Sequence, residues 1–366
     1  MGNLIHSILT LTPQSMASVL IAISGGVDST VAAWKMKQAN DTCQAAVMKL
    51  FDGSNVEDAK TVAKKLGIPF QVFDFTTEFR THVITPFVQT YLEGRTPNPC
   101  VACNRFVKFD QFLRKAQEQG FSFIATGHYA QIEHDGNRYL LKKGIDETKD
   151  QSYVLYTLTQ TQLAKVLFPL GTLRKEEVRD IARSLPREDQ IGVNAQKRES
   201  QDLCFVPDGD YASFIEQYTG QHCPPGNFVD KTGNVLGEHK GLIRYTVGQR
   251  KGLGIAAPAP YYVCEHRITD NTVVLGSQDD LLVQTLTATD INLIPFDQIE
   301  GSIRATVKVR YRQKGDWATV RQIDSDTLHI MFDKPQKAVA QGQAAVLYDG
   351  NYVLGGGTIA TKQDFC

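Results

Sequence analysis

The 366-residue chain is 42% hydrophobic and 22% charged with a formal net charge of −1, a soluble globular composition long enough for two or three domains. Balanced charge argues neither for nor against a nucleic-acid partner, but it requires any polyanion to be met by a local basic patch. No apolar run approaches the ~18 residues that span a bilayer, and residues 1–15 hold no lysine or arginine, which excludes the basic region of a signal peptide. Residues 1–15 read as a disordered leader, with Met16 as an alternative start. The apolar run Val19-Leu20-Ile21-Ala22-Ile23 is a first strand, Ser24-Gly25-Gly26-Val27-Asp28-Ser29 a glycine turn, and Thr30 to Gln38 a helix. Gln44 to Phe51 reads as a second strand, Asn55 to Leu66 as a helix ended by Gly67 and Pro69, and Phe70 to Phe75 as a third strand. Arg105 to Gln119 is a helix, Phe121 to Thr126 a strand and Thr172 to Ser184 a helix with Glu176 and Glu177 in its first turn. This alternation predicts a doubly wound parallel sheet, with ligands beyond the carboxyl ends of the strands, where Ser24 and Gly127 both fall. From about Pro207 the texture changes to Gly/Pro-rich turns and short strands, and the last eighty or so residues alternate like an all-β module.

The turn at Ser24 to Ser29 has the makings of a phosphate site. Its glycines let backbone approach an anion, the helix start supplies free N–H groups, and the serines add hydroxyl donors. Asp28 is placed to hold a magnesium ion against the phosphates. No lysine sits in the loop, so it is not the phosphate loop that serves β/γ chemistry. Cleavage between the α- and β-phosphates, releasing pyrophosphate and leaving an adenylated substrate, is the expectation. Gly252-Leu253-Gly254-Ile255-Ala256-Ala257 fits a dinucleotide fingerprint on paper, but it follows no strand and runs into Pro258 and Pro260, so it reads as a turn.

Seven cysteines stand at 43, 100, 103, 204, 223, 264 and 366. An odd, scattered set suits a reducing cytoplasm better than a disulfide framework. In Thr96-Pro97-Asn98-Pro99-Cys100-Val101-Ala102-Cys103-Asn104, two prolines stiffen a loop ahead of the helix from Arg105. Cys103, near that helix start, is expected to have a lowered pKa and to be a nucleophile. Cys100 admits a functional and a structural reading equally. No second C-x-x-C or histidine pair completes a zinc site. Cys204, in Glu199-Ser200-Gln201-Asp202-Leu203-Cys204-Phe205, gains a role only where the fold brings it to Cys103.

The blocks AISGGVDS, TPNPCVACN, ATGHYA at 125–130, KDQSYVL at 149–155, ESQDLCF at 199–205 and RYTVGQRKGLGI at 244–255 occur in one order. In that order they resemble the tRNA-specific 2-thiouridylases, a family of the N-type ATP pyrophosphatases, over nearly the whole chain from Met16. The resemblance implies ATP-dependent thiolation of a wobble uridine, in which the oxygen on C2 is adenylated and sulfur displaces AMP. By position, Cys103 is the nucleophile and Cys204 carries a persulfide, and the two can end as a disulfide. Ala22, Ile23, Ser24, Gly25, Gly26, Val27, Asp28, Ser29, Met48 and Gly127 match the nucleotide site. Asn98, Pro99, Cys100, His128, Lys149, Asp150 and Gln151 match positions facing the tRNA. A persulfide donor, either a sulfur-carrier protein or a cysteine desulfurase, is the implied partner beside tRNA, with ATP and Mg as cofactors. The implied division is an ATP pyrophosphatase domain at 16–206, with about 165–188 packing against the next domain, a central domain at 207–282 and a β-barrel-like domain at 283–366.

Many family members carry Asp where this chain has Cys100. The substitution creates a three-thiol set, Cys100, Cys103 and Cys204, which opens an alternative in which an iron–sulfur cluster delivers sulfide. Ile303 to Arg312 alternates, with Arg304, Thr306, Lys308, Arg310 and Arg312 on one face, a basic strip that reads either as a solvated face or as a phosphate-contacting one. The resemblance favours the latter, since Arg310, Tyr311 and Gln343 match tRNA-contacting positions. Another adenylating ligase would share the loop without needing the thiols, and a non-enzymatic RNA-binding protein would leave both unexplained.

Overall fold

A computed structural model describes residues 17–39, 42–185, 203–206, 208–256 and 259–360. The expected leader, Met16, and Glu199 to Asp202 ahead of Cys204 lie outside them. Five strands, β1 (Val19–Ala22), β2 (Cys43–Lys49), β3 (Phe70–Asp74), β4 (Phe123–Ala125) and, later in the chain, β7 (Val166–Leu167), form a parallel sheet in the order β3-β2-β1-β4-β7. Every residue of β1 is buried, as a parallel strand covered on both faces requires. The order reverses between β1 and β4, so the crevice at their carboxyl ends is the switch point where such sheets bind ligands. Helices α1 (Val27–Ala39) and α2 (Val56–Lys65) connect the first three strands. Asn55 caps α2 by accepting from Asp58 N–H at 3.2 Å.

The long connection after β3 is helical over 76–92, a stretch whose Phe79, Val83, Ile84, Phe87 and Val88 are buried. The next helix begins at Pro99, six residues before its expected start, because Asn98 accepts from Val101 N–H at 3.3 Å and Pro99 suits the first helical turn. It continues as a π-helix over Cys103–Gln111. The segment expected to pack against the central domain packs elsewhere: the helix Lys175–Ser184 buries Val178 with Val31 and Ala32 of α1, and β7 joins the first sheet.

Two further sheets follow. The central one, in the order β10-β11-β8-β9 (Tyr262–Arg267, Thr272–Gly276, Gly226–Val229, Val235–His239), has its own core of Phe228, Tyr245, Val263, Val273 and Leu275. Leu253 joins that core between Gly252 and Gly254, both at positive φ, so this stretch is the turn that its prolines suggested. The last is a closed six-stranded barrel, β12 (Leu282–Leu293), β15 (Leu328–Lys337), β14 (Asp316–Gln322), β13 (Ile303–Lys308), β16 (Ala344–Asp349) and β17 (Tyr352–Ile359), closed by β12 pairing with β17. Ala305, Val307, Ala318, Val320, Ile330 and Leu347 fill it by period-two alternation.

A hairpin from the N-terminal part, β5 (Ala130–His134) with β6 (Tyr139–Lys143), extends the barrel sheet by pairing Lys142 with Tyr352. Tyr153 and Tyr156 share one core with Val346, Tyr348 and Val353 of the barrel. Tyr153 Oη donates to Ala344 C=O at 2.8 Å, and Asn292 donates to the carbonyls of Tyr156 and Leu158. The first sheet and the barrel are therefore held as one packed unit.

Candidate active site

The loop from Ser24 to Ser29 leaves β1 and turns into α1 three residues earlier than the sequence suggests. Gly25 has φ of 75°, and a Cβ there would collide with Asp58 of α2, so only glycine lets the loop pass so close. Ser24 and Ser29 hydroxyls lie 3.1 Å apart, Ser24 N–H donates to Ser29 Oγ, and Ser29 Oγ donates to Gly26 C=O at 3.0 Å. At the end of β4, a Cβ on Gly127 would stand 3.0 Å from the Asp28 carbonyl carbon and Ser29 nitrogen. Two strand ends therefore close on one backbone cradle.

Asp28 does not keep a free carboxylate for magnesium. Lys175 Nζ donates to its two oxygens at 2.7 and 2.8 Å, and Tyr129 Oη donates to Oδ1 at 2.7 Å. The Lys175 side chain is 6% exposed and arrives from 147 residues downstream, at the first position of its helix. The cation beside Asp28 is thus an ammonium of the chain itself, in the place where a magnesium ion was expected. Nothing local to Lys175 marks this role, since a lysine ahead of two glutamates at a helix start reads as a solvated charge.

A cavity of about 410 Å³ opens at the strand ends. Its wall joins Ala22, Ile23, Ser24, Asp28, Ser29, Met48 and Gly127 to Pro99, Cys100, Cys103, His128, Gln151 and Cys204. Gly25, Gly26 and Val27 belong to the same loop but do not line the cavity. Phe205 anchors the Cys204 segment by packing edge-on against Phe79, Phe87 and Phe214 at 5.2–5.7 Å between ring centres. Lys108 also lines the cavity, a residue that sequence reasoning passed over because nothing at 108 resembles a motif.

The thiols behave differently from the expectation. Cys103 sits one turn inside its helix, is buried, and is pushed up to about 12 by that burial. Its position near a helix start does not lower its pKa, because loss of solvent outweighs the dipole. Burial also raises Cys100 and Cys204, although both are exposed at residue level on the cavity wall. Negative charge on Cys204 or Cys100 raises the Cys103 thiol further, and Cys103 and Cys204 are both free thiols. Among the described residues no three His, Cys, Asp or Glu side chains gather to hold a metal ion.

The RNA-facing set divides. His128 is buried, its Nδ1 lies 2.8 Å from Thr126 Oγ1, and Phe109 and Phe168 pack around it. Burial pulls its pKa well below the usual histidine range, so a neutral ring faces the cavity. Gln151 Oε1 accepts from Tyr129 N–H at 3.0 Å. Asp150 is buried and accepts from Gly144 N–H and from Ser152 N–H and Oγ, which fixes the turn between Gly144 and Ser152. Lys149 is half-buried in the same turn, and Asn98 is a helix cap. Gln343 donates to the carbonyls of Thr96 at 3.1 Å and Pro97 at 2.8 Å, clamping the barrel to the loop ahead of Cys100.

The basic strip is broken. Strand β13 stops at Lys308 and the chain turns, taking Arg310 and Arg312 off its face. Arg304 is paired with Asp333 at 2.6 and 2.8 Å, and Lys308 lies over the rings of Tyr153 and Tyr348. Arg310 donates to the carbonyls of Val247 and Ala338, tying the barrel to the central sheet. Tyr311 is exposed, with its ring 5.9 Å from that of Tyr153.

Family models described as a tRNA methyl transferase HUP domain, a tRNA methyl transferase PRC-barrel domain and an aminomethyltransferase beta-barrel domain match residues 17–208, 212–277 and 283–359. A tRNA-specific 2-thiouridylase of Clostridioides difficile is 45% identical over 357 residues, 93% of this chain and 97% of that protein. Similar enzymes of Acetivibrio thermocellus and Lachnoclostridium phytofermentans are 46% and 45% identical, each over 94% of this chain and over 100% and 99% of theirs.

Proposed function

The chain belongs to the tRNA-specific 2-thiouridylases, and from that membership we propose that it thiolates C2 of the wobble uridine in two half-reactions within one cavity. The observation that carries this reading is the shared wall, on which Ser24, Ser29 and Gly127 stand with Cys103 and Cys204. In the first half-reaction the loop and the first turn of α1 hold ATP phosphates while the uracil O2 attacks the α-phosphorus. Pyrophosphate leaves, and O2 becomes part of a good leaving group. The free N–H groups at the start of α1, which opens at Val27 between Ser24 and Ser29 of this wall, support this.

In the second half-reaction the terminal sulfur of a persulfide on Cys204 attacks C2, and AMP departs with O2. The Cys103 thiolate then attacks Cys204 Sγ, the persulfide S–S bond breaks, and its electron pair stays on the new C2 sulfur. Cys103 and Cys204 are left as a disulfide, which an external thiol reduces. His128, neutral and buried, presents polar edge and ring to an incoming base without adding charge. The uracil must leave its stack to enter. The tRNA lies across the junction of barrel and N-terminal part, near Tyr311 and Lys149, and the persulfide sulfur comes from a sulfur carrier or cysteine desulfurase in the cytoplasm. No helix among the described residues is long and apolar enough to cross a membrane.

The test is nucleoside mass spectrometry of tRNA incubated with the protein, ATP and a persulfide donor. The expected result is 2-thiouridine that requires ATP, with AMP and pyrophosphate released. Product formed without ATP would overturn adenylation, and full thiolation by Cys204→Ala would overturn the persulfide route. Iron-free, colourless and active protein from anaerobic purification is the expected outcome for the persulfide scheme over sulfide delivery from a cluster.

A further inference from the structure

The cavity holds six titratable groups among the described residues: Asp28, Cys100, Cys103, Lys108, His128 and Cys204. Asp28 is balanced by Lys175, and His128 is neutral. Lys108 has no carboxylate or hydrogen-bond partner among the described residues, unlike Lys175 on the other side of the loop. Its ammonium is therefore the uncompensated charge of this wall. A half-buried lysine left unpaired is costly, and an anion held beside it offsets that cost.

The helix geometry aims it. In an α-helix, positions five apart point about 140° away from each other. Here residues Cys103–Gln111 form a π-helix, whose i→i+5 bonding brings the fifth residue round to roughly one turn beyond the first. Cys103 and Lys108 are such a pair, and both line the cavity. Without the extra residue per turn, Lys108 would face away from the thiol.

We propose that Lys108 is the electrostatic partner of the sulfur-handling thiols, holding the Cys103 thiolate and the anionic terminal sulfur of a Cys204 persulfide inside the cavity. The thiol proton goes to solvent, Lys108 keeps its own, and no bond to nitrogen forms. Lys108 thus acts as a positioning charge that opposes burial at each of the three thiols. The inference rests on the reading of Cys103 and Cys204 as the sulfur-handling pair.

The experiment is the pH–rate profile of iodoacetamide alkylation of the full-length protein without tRNA or ATP, resolved by fragment mass spectrometry at Cys204 and Cys103. Lys108→Met is expected to move both profiles up by about one pH unit, a roughly tenfold slower reaction at pH 8, while Lys108→Arg stays near wild type. Profiles of a folded Lys108→Met that superimpose on wild type would overturn the proposal. So would weakened ATP binding with unchanged thiol profiles, which would assign the charge to the nucleotide. Where Lys108→Met does not fold, Lys108→Gln against Lys108→Arg gives the same comparison. Failure of wild-type protein to thiolate tRNA would remove the functional reading yet leave the alkylation result standing, so the two failures are distinguishable.

Discussion

Replacing Lys175 with methionine is expected to damage the phosphate loop from a distance. The substitution removes an ammonium that bonds both Asp28 oxygens and leaves the carboxylate with Tyr129 Oη. Breaking a fully buried pair costs about 3–5 kcal/mol. Because the Asp28 side chain is 31% exposed against 6% for Lys175, water recovers part of this, and about 2 kcal/mol is the expected loss of stability. For a domain of this size that corresponds to a Tm lower by about 4–8 °C. Affinity for ATP falls as well, because Asp28 lines the cavity and its charge is no longer cancelled. A unit charge about 6 Å from a phosphate costs about 3 kcal/mol at an effective dielectric near 20. Solvent access and salt halve that, leaving a loss of about tenfold. Calorimetric ATP titration and thermal melts of K175M, D28N and the double variant measure both effects. The double variant is expected to bind ATP better than K175M, because the repulsive carboxylate is gone. Strict additivity across that cycle, or wild-type ATP affinity in K175M, would refute the pairing argument.

Gly25→Ala combines a positive φ of 75° with a collision at Asp58, so a loss of about 1–3 kcal/mol is expected, read by thermal melting, together with loss of ATP binding by titration. The Cys103 thiol has a folded-state pKa raised from 9.0 to about 12, so the unfolded chain releases its proton first. Its contribution is intact below pH 9 and is lost as pH rises towards 12. Between pH 8 and 10.5 the wild-type chain should lose on the order of 2 kcal/mol more stability than Cys103→Ala, read by denaturation at both pH values. Arg310 serves carbonyls of Val247 and Ala338, so Arg310→Gln should lower Tm and leave the salt slope of tRNA binding unchanged. A slope shallower by about 0.7–0.9, the loss of one phosphate contact, at constant Tm would make Arg310 a phosphate contact instead.

Strand, glycine turn and helix at 19–39 were legible because they are local: apolar runs, turn residues and helix starts depend on neighbours within a few positions. The helix at 76–92 was not, since its buried phenylalanines and valines follow no clean break after β3. Alternation announced the barrel module, yet not where β13 would stop, because strand ends are set by what pairs alongside. The hairpin 130–143 joined the barrel sheet through a partner more than two hundred residues away in the chain.

Residue chemistry was therefore written in the sequence by itself: a glycine loop without lysine, a pair of well-placed cysteines and an ordered set of blocks. Charge balance and protonation were decided only by tertiary structure, because both depend on what packs around a group rather than on what flanks it. Lys175 fills the place left beside Asp28, burial raises the Cys103 thiol where helix position alone would lower it, and a π-helix turns Lys108 towards the sulfur. Electrostatic energy falls with distance in space and with the solvent between charges, and neither quantity exists until the chain has folded.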